Sequence, residues 1–139
     1  MLSQKEVERL HYGLLSHIKL QGDLEFQALS ELSSKFTLRT VPSGHTLWDL
    51  SSSNGDLNFI LEGTFAEYLQ RGSHSFILRF HRPNKFAFSE DLLLYSKRSD
   101  TYSKALSHAK VASLPSVHFQ NALRQGGLGA KLVEALINL

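Results

Sequence analysis

The sequence predicts an α+β domain in which helices lead into an antiparallel β region and further helices follow it. Three observations predict this. Residues 1–34 carry apolar side chains at helical spacing, residues 35–114 break into short apolar runs punctuated by Gly, Pro, Asn and Ser, and residues 115–139 return to helical spacing. The chain has 139 residues, 42% of them hydrophobic, which fits one domain. At this length folding buries roughly 68% of the unfolded surface, so no disulfide or structural metal is needed.

At the N-terminus, Ser3 and Glu6 have the spacing of a capping box, in which hydroxyl and carboxylate satisfy free backbone donors. Val7, Leu10, Leu14, Leu15 and Ile18 then recur on one helical face, with Gly22 as the expected stop. Asp23 is the expected cap of a second helix whose apolar side is Leu24, Ala28, Leu29 and Leu32.

Eight strands are expected, at Lys35–Val41, Thr46–Asp49, Asn58–Glu62, Thr64–Gln70, Ser75–Phe80, Lys85–Phe88, Thr101–Ala105 and Lys110–Leu114. Phe76, Leu78 and Phe80 alternate with Ile77 and Arg79, a period of two that sends one set inward. Arg71-Gly72-Ser73 is a hairpin signal, and Ser51 to Asp56 reads as a surface loop. Pro115 fits the first position of a helix through Phe119 and Leu123, stopping at Gly126-Gly127. A last helix is expected from about Leu128, with Leu128, Leu132, Leu136 and Leu139 as its apolar stripe.

Composition excludes several chemistries. With no Cys there is no disulfide scaffold, thiolate metal site or thiol nucleophile. Lys5, Glu6, Glu8 and Arg9 near the start are unlike a signal peptide, and no run of about 20 apolar residues could span a bilayer. A cytoplasmic protein without a membrane partner is therefore expected. Net charge is +2, but residues 71–112 hold eight basic against three acidic side chains, while residues 41–70 hold four acidic and none basic. The positive stretch could serve an anionic ligand, although solvated strand and loop cations account for it more readily.

In order along the chain, three segments carry a resemblance. Val41-Pro42-Ser43-Gly44-His45-Thr46-Leu47 is similar to a Pro-x-Gly turn before a second strand, and Gly55-Asp56-Leu57-Asn58-Phe59-Ile60-Leu61-Glu62-Gly63 to a Gly-Asp, apolar pair, Gly segment. Phe76 to Phe86, then Ala105, Val111 and Leu114-Pro115, are similar to later strands of the same pattern. With these residues the chain resembles the β-roll effector domain of the Crp/Fnr and cyclic nucleotide-binding superfamily. The resemblance implies one domain over residues 1–139, with a helical lead-in (1–34), an antiparallel β-roll of jelly-roll type (35–114) and C-terminal helices (115–139).

It also implies a ligand cassette at Phe88-Ser89-Glu90-Asp91-Leu92-Leu93-Leu94-Tyr95. In that family a helix start and an Arg hold a cyclic phosphate, and a Glu accepts from the ribose. Glu90 matches, Ser89 replaces a Gly, and Asp91 adds a carboxylate beside the anion's place. The expected Arg position falls on Ser99, one residue from Arg98, which a loop shorter by one residue would bring into register. The implied ligand is a small anion such as cAMP or cGMP, contacted by Phe88, Ser89, Glu90, Asp91, Arg98 and Ser99, with Leu78 and Phe80 as the facing strand.

Rival readings of the residues are weaker. The histidines, His11, His17, His45, His74, His81, His108 and His118, include no close His-x-His pair of the kind a cupin-like metal barrel needs. No Gly-x-Ser-x-Gly elbow supports nucleophilic catalysis. Glu90 and Asp91 suit a helix start for dipole reasons alone. Trp48, Tyr68 and Tyr102 suit strand packing as well as base stacking. Residues 115–139 hold only Arg124 and Lys131 as cations, too few for a phosphate track, so direct DNA binding is not expected. The expectation is a non-enzymatic regulatory domain that signals through its last helix and dimerises through that helix's leucine stripe. The alternative is a ligand-free interaction module on the same fold.

Overall fold

The computed structural model describes residues 1–16, 18–19, 22–53, 55–124 and 126–137. Helices α1 (Gln4–Leu15) and α2 (Gly22–Ser33) precede strands β1 (Thr37–Val41), β2 (Thr46–Trp48), β3 (Leu57–Glu62), β4 (Phe65–Arg71), β5 (His74–His81) and β6 (Phe86–Ala87). Helix α3 (Glu90–Tyr95) follows, then β7 (Thr101–Ala105), β8 (Ala109–Leu114), α4 (Ser116–Leu123) and α5 (Gly126–Ile137). The strands form two antiparallel sheets, ordered β1-β8-β3-β6 and β2-β7-β4-β5. The fold is the α+β, antiparallel β-roll with all eight expected strands in order.

Alternation along the strands builds three layers. On β3, Leu57, Phe59 and Leu61 face the helices and pack with Leu10, Leu14, Leu29, Leu32, Phe119, Leu128 and Leu132. The intervening Ile60 faces the second sheet, where it joins Val41, Trp48, Phe65, Leu92, Ala105 and Val111. The first sheet is therefore buried on both sides, and the helices cover it because their apolar stripes have no other surface to fill. Between the sheets, the Ser113 hydroxyl donates to Asn58 Oδ1 at 2.6 Å and Asn58 Nδ2 donates to the Ala87 carbonyl at 3.1 Å, which satisfies the buried Asn58 amide.

The capping box forms as expected: Glu6 N–H donates to Ser3 Oγ, and Ser3 N–H donates to the Glu6 carboxylate. That backbone donor holds the Glu6 carboxyl below its usual range. Helix α1 ends earlier than the periodicity predicts. The Ser16 hydroxyl turns back to the Gly13 carbonyl at 2.9 Å, an alternative to continuing the backbone ladder. Ile18 is buried beyond the helix, Leu15 is exposed, and His17 lies outside the described residues.

Other boundaries also differ from expectation. Gly22, with φ +82°, opens α2 in place of Asp23, and Leu24 is exposed, so the α2 stripe reduces to Leu29 and Leu32 with Ala28 half-buried. Pro115 is the N-cap of α4 and not its first residue. Gly126-Gly127 open α5, where they were expected to stop α4, and Gly129 packs on the Leu123 carbonyl so closely that an added Cβ would stand 2.2 Å from it. Leu128 and Leu132 are 2% and 1% exposed, buried in the domain's own core, so they present no free stripe to a second copy. The Leu136 side chain and all of Leu139 lie outside the described residues.

The largest departure is β5. Neither alternating set is buried: Phe76, Ile77, Leu78 and Phe80 are all exposed. Strand β5 is the edge of the second sheet, and its register against β4 skips Leu78 between the pairs Glu67–Arg79 and Tyr68–Ile77. A bulge of this kind breaks the period of two that the sequence suggests.

Candidate ligand-binding site

Ser89 caps α3 from extended backbone, and its hydroxyl accepts from Leu92 N–H at 3.3 Å. The side chain thus occupies one donor that a glycine would leave open to a ligand. Within α3, Leu92 points into the core between the sheets and Leu93 into the core beneath the helices. Gly55 makes room for this helix: a Cβ there would stand 2.5 Å from Leu92 Cβ and 3.1 Å from α3 backbone atoms. The Gly of the Gly-Asp pair therefore serves close approach of loop to helix. The adjacent Asp56 carboxyl is pushed above its ordinary range by burial, which outweighs the opposing pull of Arg39 and of the Ser116 N–H.

After α3 the chain turns through Ser96 in left-handed backbone (φ 52°), and Lys97 N–H returns to the Asp91 carbonyl at 2.8 Å. Lys97 and Arg98 are exposed, and Arg98 has no ion-pair partner among the described residues. Ser99 is buried. Its hydroxyl accepts from Thr101 N–H at 3.1 Å and pairs with Thr101 Oγ1 at 2.9 Å, and Trp48 Nε1 donates to that same Thr101 oxygen at 3.2 Å. The loop is thereby anchored at the residue after Arg98.

Of the residues predicted to meet a ligand, the structure brings Ser89, Glu90, Asp91, Arg98 and Ser99 onto α3 and the loop that follows it. Glu90 and Arg98 are exposed, Asp91 is half-buried, and Phe88 packs half-buried against the helix-side core. Phe80 stands opposite Ala66, on the face of the second sheet turned from the roll interior, and Leu78 is the residue skipped by the register. Trp48 is a core residue, and the Tyr68 and Tyr102 rings stack on each other at 4.9 Å on the outer face.

Sequence reasoning missed a polar group on the inner face of the second sheet. In-register pairing sets Glu67 on β4 opposite Ser103 on β7 and Arg79 on β5. Glu67 is buried, with Oε1 2.9 Å from His81 Nε2 and 3.5 Å from Arg79 Nε. The Ser103 hydroxyl is fully buried and has no hydrogen-bond partner among the described residues. A signal existed: Phe65, Glu67 and Leu69 alternate with Ala66, Tyr68 and Gln70, so Glu67 shares the core-facing set with Phe65.

Among the described residues no group of three His, Asp or Glu could hold a metal ion, and no helix is long and apolar enough to cross a membrane.

No family model matches the sequence, and no curated protein sequence does. Solved structures do match. A cyclic nucleotide-binding domain from Methylobacillus flagellatus is 18% identical, with a TM-score of 0.77 over 96% of this chain and 75% of that one. The regulatory domain of Toxoplasma gondii PKA, crystallised with cAMP, is 13% identical, with a TM-score of 0.74 over 87% of this chain and 46% of that one. The Thermus thermophilus catabolite activator protein is 18% identical, with a TM-score of 0.68 over 81% of this chain and 53% of that one. The chain thus spans about half the length of the last two. At these identities the likeness shows the fold: the chain has the β-roll of cyclic nucleotide-binding domains.

Proposed function

We propose that the chain is a non-enzymatic sensor domain that takes a small anionic ligand of the cyclic nucleotide class at α3 and the loop before β7, and reports occupancy to α4 and α5. Arg98 is the partner of the phosphate, with Ser89, Glu90 and Ser99 around it. The cytoplasm is the compartment this role expects.

The observation that carries the proposal is the hydrogen bond from Gln120 Nε2 on α4 to the Leu93 carbonyl on α3, at 2.5 Å. A helix shifted by ligand would pull directly on the helices that follow the roll. Leu93 and Phe119 pack in the same core, which makes that coupling stiff. The ligand biases α4 and α5 only by its differential affinity for their two arrangements.

A melting-temperature screen across cyclic nucleotides tests this. A ligand bound only by the native state stabilises it by roughly 2.7 kcal/mol at about 100 times Kd. Calorimetric heat with the responding nucleotide should disappear in Arg98→Ala. Absence of heat and of any thermal shift at millimolar ligand would overturn the sensor.

A second reading, a ligand-free interaction module, is favoured by β5, which exposes Phe76, Ile77, Leu78 and Phe80 on an unpaired edge. Under that reading no nucleotide shifts the melting temperature.

A further inference from the structure

The outer face of the second sheet, turned away from the roll interior, is apolar along β5 and carries no acid. Phe80 and Ile77 of β5 stand opposite Ala66 and Tyr68 of β4, and Tyr68 in turn pairs with Tyr102 of β7, two residues before Lys104. Lys104 is exposed and is the one charged residue at the paired outer positions of β4, β5 and β7. Phe76, Ile77, Leu78 and Phe80 are 54%, 54%, 43% and 49% exposed, four large apolar side chains within five residues. A concentration of exposed apolar surface on this scale marks a contact with a protein or a membrane.

The strand itself discriminates among occupants. The bulge at Leu78 interrupts the edge, and Arg79 points inward to Glu67, with Nε 3.5 Å from Oε1. Both are devices by which an edge strand avoids receiving another strand. Charge opposes a second copy. From Arg71 to Ser89 the chain holds four basic residues, Arg71, Arg79, Arg82 and Lys85, and no acidic one, so two such edges brought together repel. Glu67 lies on the inner face against His81, and Asp100 is paired with Arg71 at 2.9 Å. Arg82 and Lys85, in the turn after β5, are exposed and have no ion pair among the described residues.

We propose that this face docks on an anionic phospholipid bilayer. Ile77, Leu78 and Phe80 enter the boundary between headgroups and acyl chains, while Lys104, Arg82 and Lys85 meet lipid phosphates and carboxylates. Tyr68 and Tyr102, half-buried and stacked, supply the apolar ring with a polar tip that suits the headgroup level. Crossing a bilayer needs a long apolar helix, which the described residues lack; resting on one needs only an apolar face beside unpaired cations. The proposal uses no residue of α3 or of the loop before β7, so it stands apart from the sensor reading.

The experiment is cosedimentation of the full chain with phosphatidylcholine vesicles, with and without phosphatidylserine. The wild type should sediment with the anionic vesicles and not with the neutral ones, and raised salt should weaken binding. Ile77→Ser combined with Phe80→Ser should lower partitioning roughly tenfold or more, as should Arg82→Gln combined with Lys85→Gln. Should the serine variant fail to fold, Phe80→Trp reports on the same side chain: its emission should move to the blue on anionic vesicles alone, against the constant signal of buried Trp48. No sedimentation with anionic vesicles would overturn the proposal. So would equal binding to neutral vesicles. A doubling of mass in light scattering without lipid, abolished by the serine variant, would assign the face to a second copy and overturn it too.

Discussion

Arg9 on α1 donates through Nε and Nη2 to the side-chain oxygen of Asn84, 75 residues away, at 3.1 and 2.9 Å. The same Nη2 reaches the Leu61 carbonyl at 2.7 Å. Asn84 sits between β5 and β6 with φ 68°, and its N–H donates to the Ile60 carbonyl at 2.8 Å. One guanidinium thus fastens the leading helix to the strand that runs through the middle of the roll.

Replacing Arg9 by Ala should cost about 1–2 kcal/mol, because it removes charge-assisted bonds to two acceptors. Arg9→Lys should restore little of this, since an ammonium cannot form the planar fork. Urea unfolding of the three proteins measures both effects.

Gly63 holds φ +91°, and a Cβ there would stand 2.7 Å from Ala109 Cβ and 2.8 Å from the His108 carbonyl oxygen. Gly63→Ala should therefore destabilise by roughly 2–4 kcal/mol, from backbone strain and overpacking together. Gly44, at φ +89° with nothing near, isolates the backbone part. Gly44→Ala should lower the unfolding midpoint by distinctly less.

The Ser89 hydroxyl is the N-cap of α3. Ser89→Ala should cost about 1 kcal/mol and Ser89→Gly only a few tenths. The glycine variant also opens the Leu92 N–H, so under the sensor reading it should bind nucleotide more tightly than the wild type by calorimetry.

Asp56 gives stability a pH dependence of known sign. Its folded-state carboxyl titrates above the ordinary aspartate value near 3.8 because burial disfavours the charge. Its contribution to stability is full below that value and is lost as pH rises through the folded-state value. Asp56→Asn keeps an acceptor for Ser116 N–H and removes the buried charge. It should melt higher than wild type at pH 7, and the gap should close in acid; thermal melts across pH 3–7 measure it.

Leu132 is buried in the domain's own core. Leu132→Ala should cost roughly 2–5 kcal/mol by cavity formation, while light scattering reports the same mass for variant and wild type. A dimer dissociated by this substitution at unchanged melting temperature would contradict that placement.

The strands and the capping box were legible because each rests on local alternation or spacing, as at Ser3 and Glu6. The order of elements also made the β-roll recognisable. Less was legible where contacts at long sequence separation decide. The early end of α1, the burial of Leu128 and Leu132 and the junction at Gly129 all depend on which surface a helix meets. On β5 a single skipped residue, Leu78, turns Arg79 toward Glu67. At the site, the cassette residues stood out by position, whereas Glu67 and Ser103 became visible only once β4 and β7 were paired.

Strand β3 lies between two apolar layers, with one set of side chains under the helices and the other against the second sheet. Solvent reaches its amides only when the whole body opens, so deuterium should enter Phe59 and Ile60 last. Strand β5, open along one edge, should label early at the amides that face away from β4. The two strands bracket the molecule's breathing.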